Sequence, residues 1–444
     1  MNNKKERFSR SGWTVLLLFG LIGQIAWSVE NMYFNLFVFD TVAPNLNAIT
    51  LMVQLSGITA TVATLIAGTV SDKLGTRRLF ISVGYIVWGV SVAVFGFLSP
   101  ELVGRLFGVA GERAIFCSLA LIVTADCIMT LFGSTANDAA FNAWVTDNTK
   151  KAYRGRVEGV LSILPLVSML IVVGGFGMLV EMIGYSALFL ILGLLISASG
   201  VLGIFLIKDS PSLSPSGWLS DIFFGFKIST VRKNPTLYLI LLITMVYGVA
   251  CQIFMPYLVI YMKSYLGFEV LEYSVVFGLA ILAGAGINLY LTRLSDRREK
   301  TTLIYIAVGV FAAGLLGMYF SKDMGKTATI ILFGIFGLVM ITGYIFISAL
   351  SGSLLRDYTP KGEVGKLQGV RMVFCVLIPM LLGPAVGNGI NSLRGIPLAD
   401  SSSADVMTTS YIPAPEIFLA AALFSLLALG LVPFVRRTRA RSDS

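Results

Sequence analysis

The sequence lacks histidine altogether and contains only 4 cysteines in 444 residues. Without histidine the chain cannot form histidine-ligated zinc or haem sites or a Ser-His-Asp triad, so proton handling falls to carboxylates. The four cysteines lie inside apolar segments, which favours packing roles over a disulfide framework. No G-x-S-x-G motif and no complete Walker loop occurs, so we expect neither enzymatic activity nor a bound cofactor.

Charged residues are also scarce, at 13% of the chain against 56% hydrophobic residues. They lie in short clusters between long apolar runs, a pattern that a soluble globular domain of this length would not tolerate. Each run is near the ~20 residues that a helix needs to cross about 30 Å of hydrocarbon. The sequence therefore predicts an all-α membrane protein with twelve transmembrane helices, at 13–39, 48–70, 79–99, 114–140, 157–181, 185–207, 236–262, 272–292, 301–320, 328–352, 367–389 and 415–435.

The basic residues predict the orientation of these helices. Of the 33 lysines and arginines, all but 7 fall at the two termini or in connections from an even-numbered to an odd-numbered helix. The positive-inside rule then places both termini in the cytoplasm of a multi-pass protein of the cell inner (plasma) membrane. A basic face against anionic lipid accounts for the net charge of +9, so no nucleic-acid partner is expected. We expect a monomer whose partners are the lipid bilayer and a small-molecule substrate.

One hydrophilic turn occurs twice in the chain. Residues 147–160 are matched without a gap by residues 357–370, 210 positions later (357 − 147), and each copy ends one apolar run and begins the next. Such doubling is typical of transporters built from two repeated units related by an axis along the membrane normal. The sequence therefore predicts two six-helix bundles related by a pseudo-twofold axis, at 1–207 and 236–444, joined by a cytoplasmic linker at 208–235.

Acids occur at membrane depth in two predicted helices, Glu30 in the first and Asp126 and Asp138 in the fourth. A carboxylate at membrane depth is costly and marks a functional site by default. We therefore predict that these three side chains bind a coupling ion, either a proton or a sodium ion. Polar and aromatic residues within the helices predict contacts with a polar solute. These candidates are Gln24, Trp27, Asn31, Asn35, Asn137, Asn142, Trp144, Tyr247, Gln252, Tyr344 and Asn388.

The connection between the second and third helices carries a specific motif. It reads Gly68-Thr-Val-Ser-Asp72-Lys-Leu-Gly75-Thr-Arg77-Arg78, and it resembles the G-x-x-x-D-x-x-G-x-R-R pattern of the major facilitator superfamily. The resemblance implies the major facilitator fold and a charge network that closes the cytoplasmic side. The predicted gate comprises Gly68, Asp72, Gly75, Arg77, Arg78, Asp147, Arg154, Arg156, Asp296, Arg297 and Asp357.

A second motif lies in the fourth helix. The pattern Asp138-x-x-Phe141-x-Ala143-x-x-x-Asp147 is similar to the signature of the glycoside-pentoside-hexuronide cation symporters, a sugar/cation branch of the same superfamily. In that branch an acid at the position of Asp138 belongs to the cation and sugar site. The acids that the branch has in its second helix are replaced here by Ala60 and Thr64, so the resemblance leaves the choice between sodium and proton open.

These observations favour a secondary active transporter that moves a small polar solute, such as a sugar or glycoside, by symport with a proton or sodium ion. The alternative is a proton-driven exporter of drugs or lipophilic cations from the same superfamily. Glu30 suits that alternative, but the fifth helix lacks the G-x-x-x-G-P-x-x-G-G run of drug–proton antiporters. A membrane-embedded enzyme or a receptor is the third class, and no motif supports it.

Overall fold

The computed structural model describes residues 9–149, 154–210, 219–295, 299–322, 324–360, 364–398 and 411–442. Six long helices, α1 to α6, lie in the first part of the described chain. α1 comprises Arg10–Val29, Glu30–Phe34, Asn35–Phe37 and Val38–Val42. α2 is Leu46–Leu74 and α3 is Arg78–Phe95, and after a short helix at Pro100–Phe107 α4 comprises Glu112–Gly133, Ser134–Phe141 and Asn142–Asn148. α5 and α6 are built from Arg154–Ile171, Val172–Phe176 and Gly177–Leu206.

A 3-10 helix at Leu219–Phe226 and a short helix at Ile228–Lys233 lead into the second part. α7 comprises Pro235–Phe254, Met255–Tyr257, Leu258–Ile260 and Tyr261–Tyr265. α8 is Val270–Ser295, α9 is Lys300–Phe320 and α10 is Lys326–Tyr358. α11 comprises Val364–Met372, Val373–Leu377 and Ile378–Arg394, and α12 is Glu416–Ser442. Two short antiparallel strands, β1 at Ile396–Pro397 and β2 at Tyr411–Ile412, precede α12.

α5 and α6 meet at Gly184, which has a left-handed backbone with φ of 76°. Only glycine adopts this conformation without strain, so this one residue separates the two apolar helices. Eleven stretches of the described helices are long and apolar enough to cross a membrane, and one of them, Ile163–Leu206, contains both α5 and α6. The predicted all-α membrane architecture is confirmed, with the fifth and sixth predicted helices joined at a glycine break.

Several of these helices contain π-helical segments, in which backbone amides bond to carbonyls five residues back. They lie at Glu30–Phe34 and Val38–Val42 in α1, Ser134–Phe141 in α4, Val172–Phe176 in α5, Tyr261–Tyr265 in α7 and Val373–Leu377 in α11. A π segment inserts one residue into a helical turn and occurs often at functional sites. Glu30 and Asp138 each lie in such a segment.

The chain divides into two compact units. Unit 1 is Met1–Phe37 with Ile58–Asp221, and unit 2 is Val38–Gly57 with Ile222–Ser444. α2 is continuous from Leu46 to Leu74, so its first part belongs to unit 2 and its second part to unit 1. The predicted pseudo-twofold relation between the bundles stays a prediction.

Each unit packs its helices closely through glycines. In unit 1, a Cβ atom built on Gly89 of α3 would lie 2.3 Å from the carbonyl oxygen of Gly193 in α6. In unit 2, a Cβ on Gly314 of α9 would lie 2.3 Å from the amide nitrogen of Met340 in α10. Small residues at such crossings let helix backbones approach, which is the usual basis of helix packing in a bilayer.

Candidate functional site

Two of the predicted acids meet inside unit 1. Glu30 begins the π segment of α1 and is 7% exposed, and Asp126 on α4 is 1% exposed. The hydroxyl of Thr130, one turn after Asp126, donates to Glu30 Oε1 at 3.2 Å. Glu30 Oε2 has no hydrogen-bond partner among the described residues. α1 and α4 therefore place two carboxyl groups and one hydroxyl in one buried cluster.

The third acid, Asp138, lies three turns further along α4 in the π segment Ser134–Phe141 and is half-buried. Charge on Asp138 also acts on Glu30, although less than charge on Asp126 does. No ion pair among the described residues includes Glu30. The structure thus brings all three predicted ion-coupling residues into the interior of one unit.

The chemistry of this cluster follows from its burial. A desolvated carboxylate without a nearby positive charge costs several kcal/mol, and two neighbouring carboxylates increase that cost. Binding a proton or a cation removes the penalty. The cluster is therefore suited to take up and release a positive charge, although no three Cys, Asp or Glu side chains in the described ranges converge as a metal site.

Asn137 takes part in a hydrogen-bond chain that the sequence did not indicate. Its Nδ2 donates to the hydroxyl of Tyr85 at 2.6 Å, and that hydroxyl donates to the carbonyl oxygen of Phe19 at 2.6 Å. Tyr85 is fully buried on α3. The side chain of Asn137, predicted as a solute contact, is thus partly committed to joining α4, α3 and α1.

Three other predicted solute contacts of unit 1 bond to the backbone of their own helix. Asn31 donates to the Trp27 carbonyl, Asn35 to the Asn31 carbonyl and Asn142 to the Asp138 carbonyl, at 2.7, 3.0 and 3.1 Å. Asn31 and Asn142 are exposed, and Asn35 is buried. These bonds orient the amides and leave their carbonyl oxygens for other partners.

The remaining aromatic candidates of unit 1 lie in different places. Trp27 is half-buried, as is Gln24 one turn before it, and packs against Trp88 of α3 with ring centroids 4.9 Å apart. Trp144 instead lies near the end of α4, where its indole N–H donates to the Lys208 carbonyl at 2.9 Å. Trp27 therefore lies one helical turn before Glu30 of the acid cluster, whereas Trp144 lies near the end of α4.

In unit 2, the candidates form a separate aromatic group. The Tyr247 hydroxyl on α7 donates to the Tyr344 carbonyl on α10 at 3.1 Å, and the two rings lie 5.7 Å apart. Cys251 lies one turn along from Tyr247, and the adjacent Gln252 is half-buried. Asn288 of α8, absent from the sequence prediction, donates to the Thr342 carbonyl at 3.1 Å.

Asn388 belongs to a row of hydrogen bonds between α2 and α11, called here the polar ladder. The part of α2 and the part of α11 that form it both lie in unit 2. It donates to Asn47 Oδ1 at 2.6 Å, and Gln54 donates to the Leu381 carbonyl at 2.8 Å. Between them, Thr50 shares a 2.7 Å hydrogen bond with the Tyr257 hydroxyl, which also lies 3.0 Å from the Pro384 carbonyl. The spacing of three and four residues on both helices places the ladder along one face of each.

A second polar cluster in unit 1 surrounds Arg77, whose side chain is 5% exposed. Its guanidinium donates to Asp72, to Asp147 Oδ2 at 3.0 Å and to Ser71 Oγ at 2.5 Å. Gly75, with φ of 63°, supplies the left-handed turn between α2 and α3. One buried arginine thereby joins the ends of α2 and α4 to the start of α3.

Asp209, which follows α6, was not predicted to contribute to this cluster. Its carboxylate accepts from the backbone amides of Arg77 and Arg78 at 2.8 and 3.0 Å and from the Thr76 hydroxyl at 2.9 Å. A carboxylate at a helix N-terminus satisfies free amides and complements the helix dipole. The Arg78 side chain itself is exposed, and a Cβ on Gly68 would meet no atom within 4 Å.

Unit 2 contains a matching but more exposed pair. Lys300 is the first residue of α9, a position like that of Arg77 directly before α3. The Nζ atom of Lys300 lies 2.6 Å from Asp357 Oδ2 and 2.7 Å from Ser353 Oγ. Asp357 is the residue that the sequence repeat matches with Asp147. Asp296 and Arg297, and the side chains of Arg154 and Arg156, lie outside the residues that the structure describes.

Comparison with known families decides the class of protein. Residues 16–384 match the family model of the Major Facilitator Superfamily, which is most of the chain. The chain belongs to the major facilitator superfamily. It is therefore a transporter. No curated protein matches the sequence significantly.

Solved transporter structures share this fold at low sequence identity. The nucleoside transporter NupG matches with a TM-score of 0.65 and 14% identity over 95% of this chain and 98% of that one. A bacterial homologue of the human lysosomal transporter Spinster gives 0.66 and 13% over 97% and 98%. A bacterial homologue of the iron transporter ferroportin gives 0.63 and 17% over 95% and 97%. At these identities the likeness concerns the fold alone.

Proposed function

We propose that this transporter moves a small neutral polar solute of the sugar and glycoside class by symport with a proton. The observation that carries the proposal is the buried cluster of Glu30, Asp126 and Thr130 between α1 and α4. Glu30 acts as the proton carrier, Asp126 as the neighbouring acid that makes a second negative charge unfavourable, and Asp138 as the half-buried acid nearer the solute.

A proton fits this cluster better than a sodium ion does. The Thr130 hydroxyl donates to Glu30 Oε1, and Glu30 Oε2 has no hydrogen-bond partner among the described residues. Hard metal cations take several oxygen ligands at once, whereas two neighbouring carboxyls can share a single proton. With no histidine in the chain, a carboxyl in this position is the natural proton carrier.

The solute class is proposed from the polar groups beside the acids. The buried indole N–H groups of Trp27 and Trp88 and the carbonyl oxygen of Asn35 have no hydrogen-bond partner within the described ranges. Buried polar groups are normally satisfied, and hydroxyl groups of a sugar both accept and donate. Nucleosides, the solutes named for the structural relative NupG, are N-glycosides and belong to the same proposed class.

Uptake by purified protein in liposomes tests the proposal. A panel of labelled monosaccharides, galactosides and nucleosides is offered under inward proton, outward proton and inward sodium gradients. We expect accumulation of one solute under the inward proton gradient. Accumulation driven by the sodium gradient at constant pH would overturn proton symport, and so would accumulation under the outward proton gradient, which indicates exchange of solute for protons.

Substitution of single acids tests which side chain carries the coupled proton. Glu30→Gln keeps the size and the Thr130 contact but cannot exchange a proton, so we expect it to abolish accumulation while preserving solute exchange at equal pH. Asp138→Asn should act in the same direction. Glu181→Gln, the same change at an exposed position of α5, is the matched control and should behave as wild type. Full accumulation in Glu30→Gln would refute its role as carrier.

We further propose a plasma-membrane location with cytoplasmic termini and a monomeric state. The uneven distribution of lysine and arginine supports the orientation. Labelling of single cysteines placed near each terminus with an impermeant maleimide, in sealed right-side-out vesicles, tests it. Labelling without permeabilisation would contradict cytoplasmic termini.

A further inference from the structure

A hydrogen-bond chain links the two acid-bearing helices through α3. It runs from Asn137 Nδ2 to the Tyr85 hydroxyl and on to the Phe19 carbonyl, with both distances 2.6 Å. Asn137 is 3% exposed and Tyr85 is fully buried, and the rings of Phe19 and Tyr85 meet edge to face at 5.0 Å. Hydrogen bonds in such a dry environment are strong and costly to break.

Gly23 makes room for this chain. A Cβ atom at Gly23 would lie 1.8 Å from Asn137 Nδ2 and 2.6 Å from the Tyr85 hydroxyl. Gly23 lies one turn after Phe19 on α1, so its missing side chain opens the helix surface where the Tyr85 hydroxyl reaches the Phe19 carbonyl. Any larger residue at this position would displace the amide or the hydroxyl.

Asn137 also lies in the π segment Ser134–Phe141, directly before Asp138. A helix turns about 100° per residue, so a π segment that relaxed to regular α-helix would rotate the residues on one side of it by about that angle. Such a rotation would carry Asp138 away from the interior face. The anchored Asn137 side chain opposes it, because the amide would have to leave Tyr85.

We propose that Gly23, Tyr85 and Asn137 are positioning residues that hold the π segment of α4 and thereby fix Asp138 relative to Glu30. The effect of this anchor on transport, the functional part of the inference, rests on the proposed coupling role of the acids. The anchoring of the π segment itself, the structural part, does not depend on that role. Tyr85 and Asn137 act through the segment and do not themselves carry the ion.

Hydrogen exchange measured by mass spectrometry in lipid nanodiscs tests the structural part. Tyr85→Phe keeps the ring but removes the hydroxyl, and we expect faster exchange confined to peptides covering residues 134–141. Tyr185→Phe, on α6 against Phe37 and Phe189, is the matched control and should leave that segment unchanged. Unaltered exchange in Tyr85→Phe would overturn the anchoring.

Gly23→Ala provides a test that does not depend on removing the hydroxyl. The added methyl should displace the Asn137 amide and speed exchange in residues 134–141. The matching double variant combines Gly23→Ala with Asn137→Gly. Since the double variant still lacks the amide, we expect it to resemble Asn137→Gly alone and not to add to it. An additive effect would refute contact between Gly23 and Asn137 as the cause.

Transport measurements test the functional part. In Tyr85→Phe we expect proton-driven accumulation to fall by up to about 100-fold, the effect that small misplacement of a reacting group can have, while solute exchange at equal pH changes less than about twofold. If Glu30→Gln and Asp138→Asn lose accumulation but Tyr85→Phe keeps it, the positioning role fails and the coupling proposal stands. If both acid variants keep accumulation, the coupling proposal fails, and the hydrogen-exchange result still decides the anchoring.

Discussion

Replacing Arg77 with lysine tests whether the buried guanidinium holds the ends of three helices together. The arginine reaches Asp72, Asp147 and Ser71 with three different nitrogens. Lysine keeps the charge but concentrates it on one nitrogen, so it cannot reproduce a planar fork with three directed donors. We expect Arg77→Lys to keep one acidic partner and to lose the other acid and the serine.

The magnitude follows from the exposure of each partner. A hydrogen bond to a charged group contributes about 1.5–3 kcal/mol when removed from water. Asp72 is 43% exposed and Asp147 is 25% exposed, so solvent replaces part of each lost contact and the Asp72 pair contributes only about 0–1 kcal/mol. We therefore expect a loss of about 2–3 kcal/mol, or about 4 to 12 °C in the unfolding midpoint of a unit of about 200 residues.

The assay is thermal unfolding of the detergent-solubilised protein, followed by size-exclusion chromatography after heating. Arg78→Lys is the matched control, because it makes the same change one residue later at an exposed side chain. Surface changes of this kind stay within about 0.5 kcal/mol. Equal midpoints for the two variants would refute the reasoning that Arg77 holds the helix ends.

Three further outcomes are expected. Asp72→Asn should slow initial uptake while lowering the free energy of unfolding by less than about 1 kcal/mol, because the Asp72 side chain is 43% exposed and water replaces part of the lost contact; a wild-type uptake rate would remove Asp72 from the gate. Cysteines replacing Asn47 and Asn388, whose amides are 2.6 Å apart, should cross-link under mild oxidation in a background without the four native cysteines, and the cross-link should stop uptake until it is reduced; continued uptake would mean that the ladder does not open. Asp357→Asn should cost less than about 1 kcal/mol in the same thermal assay, since both partners of its pair are partly exposed, and a loss as large as that of Arg77→Lys would contradict this.

The helices were predictable because apolar runs of the required length have little alternative in a membrane. The predicted boundary between residues 181 and 185 corresponds to the glycine break at Gly184. The repeat of residues 147–160 at 357–370 also corresponds to a structural likeness, since Asp147 and Asp357 each pair with a basic residue at the start of another helix of their own unit.

The partners within the site were harder to predict. The sequence placed Asp147 and Arg77 in one predicted gate but indicated no pairing between them, whereas the structure joins these two side chains across 70 positions of the chain. Tyr85 gave no signal, because an aromatic residue in an apolar run ordinarily indicates packing. Its function as a hydrogen-bond relay depends on the absence of a side chain at Gly23, and a missing atom on another helix leaves no periodic pattern.

The unequal burial of the two matching ion pairs has a consequence for how the chain can change. The Arg77 guanidinium is enclosed by two acids and a hydroxyl, so nearly any substitution there strands several partners at once. Lys300 is 28% exposed beside an aspartate that is 52% exposed, and water can take the place of either. Substitutions should therefore accumulate faster at the second copy of the turn than at the first. In a deep library of random variants, more substitutions should be tolerated at Lys300 and its aspartate than at Arg77.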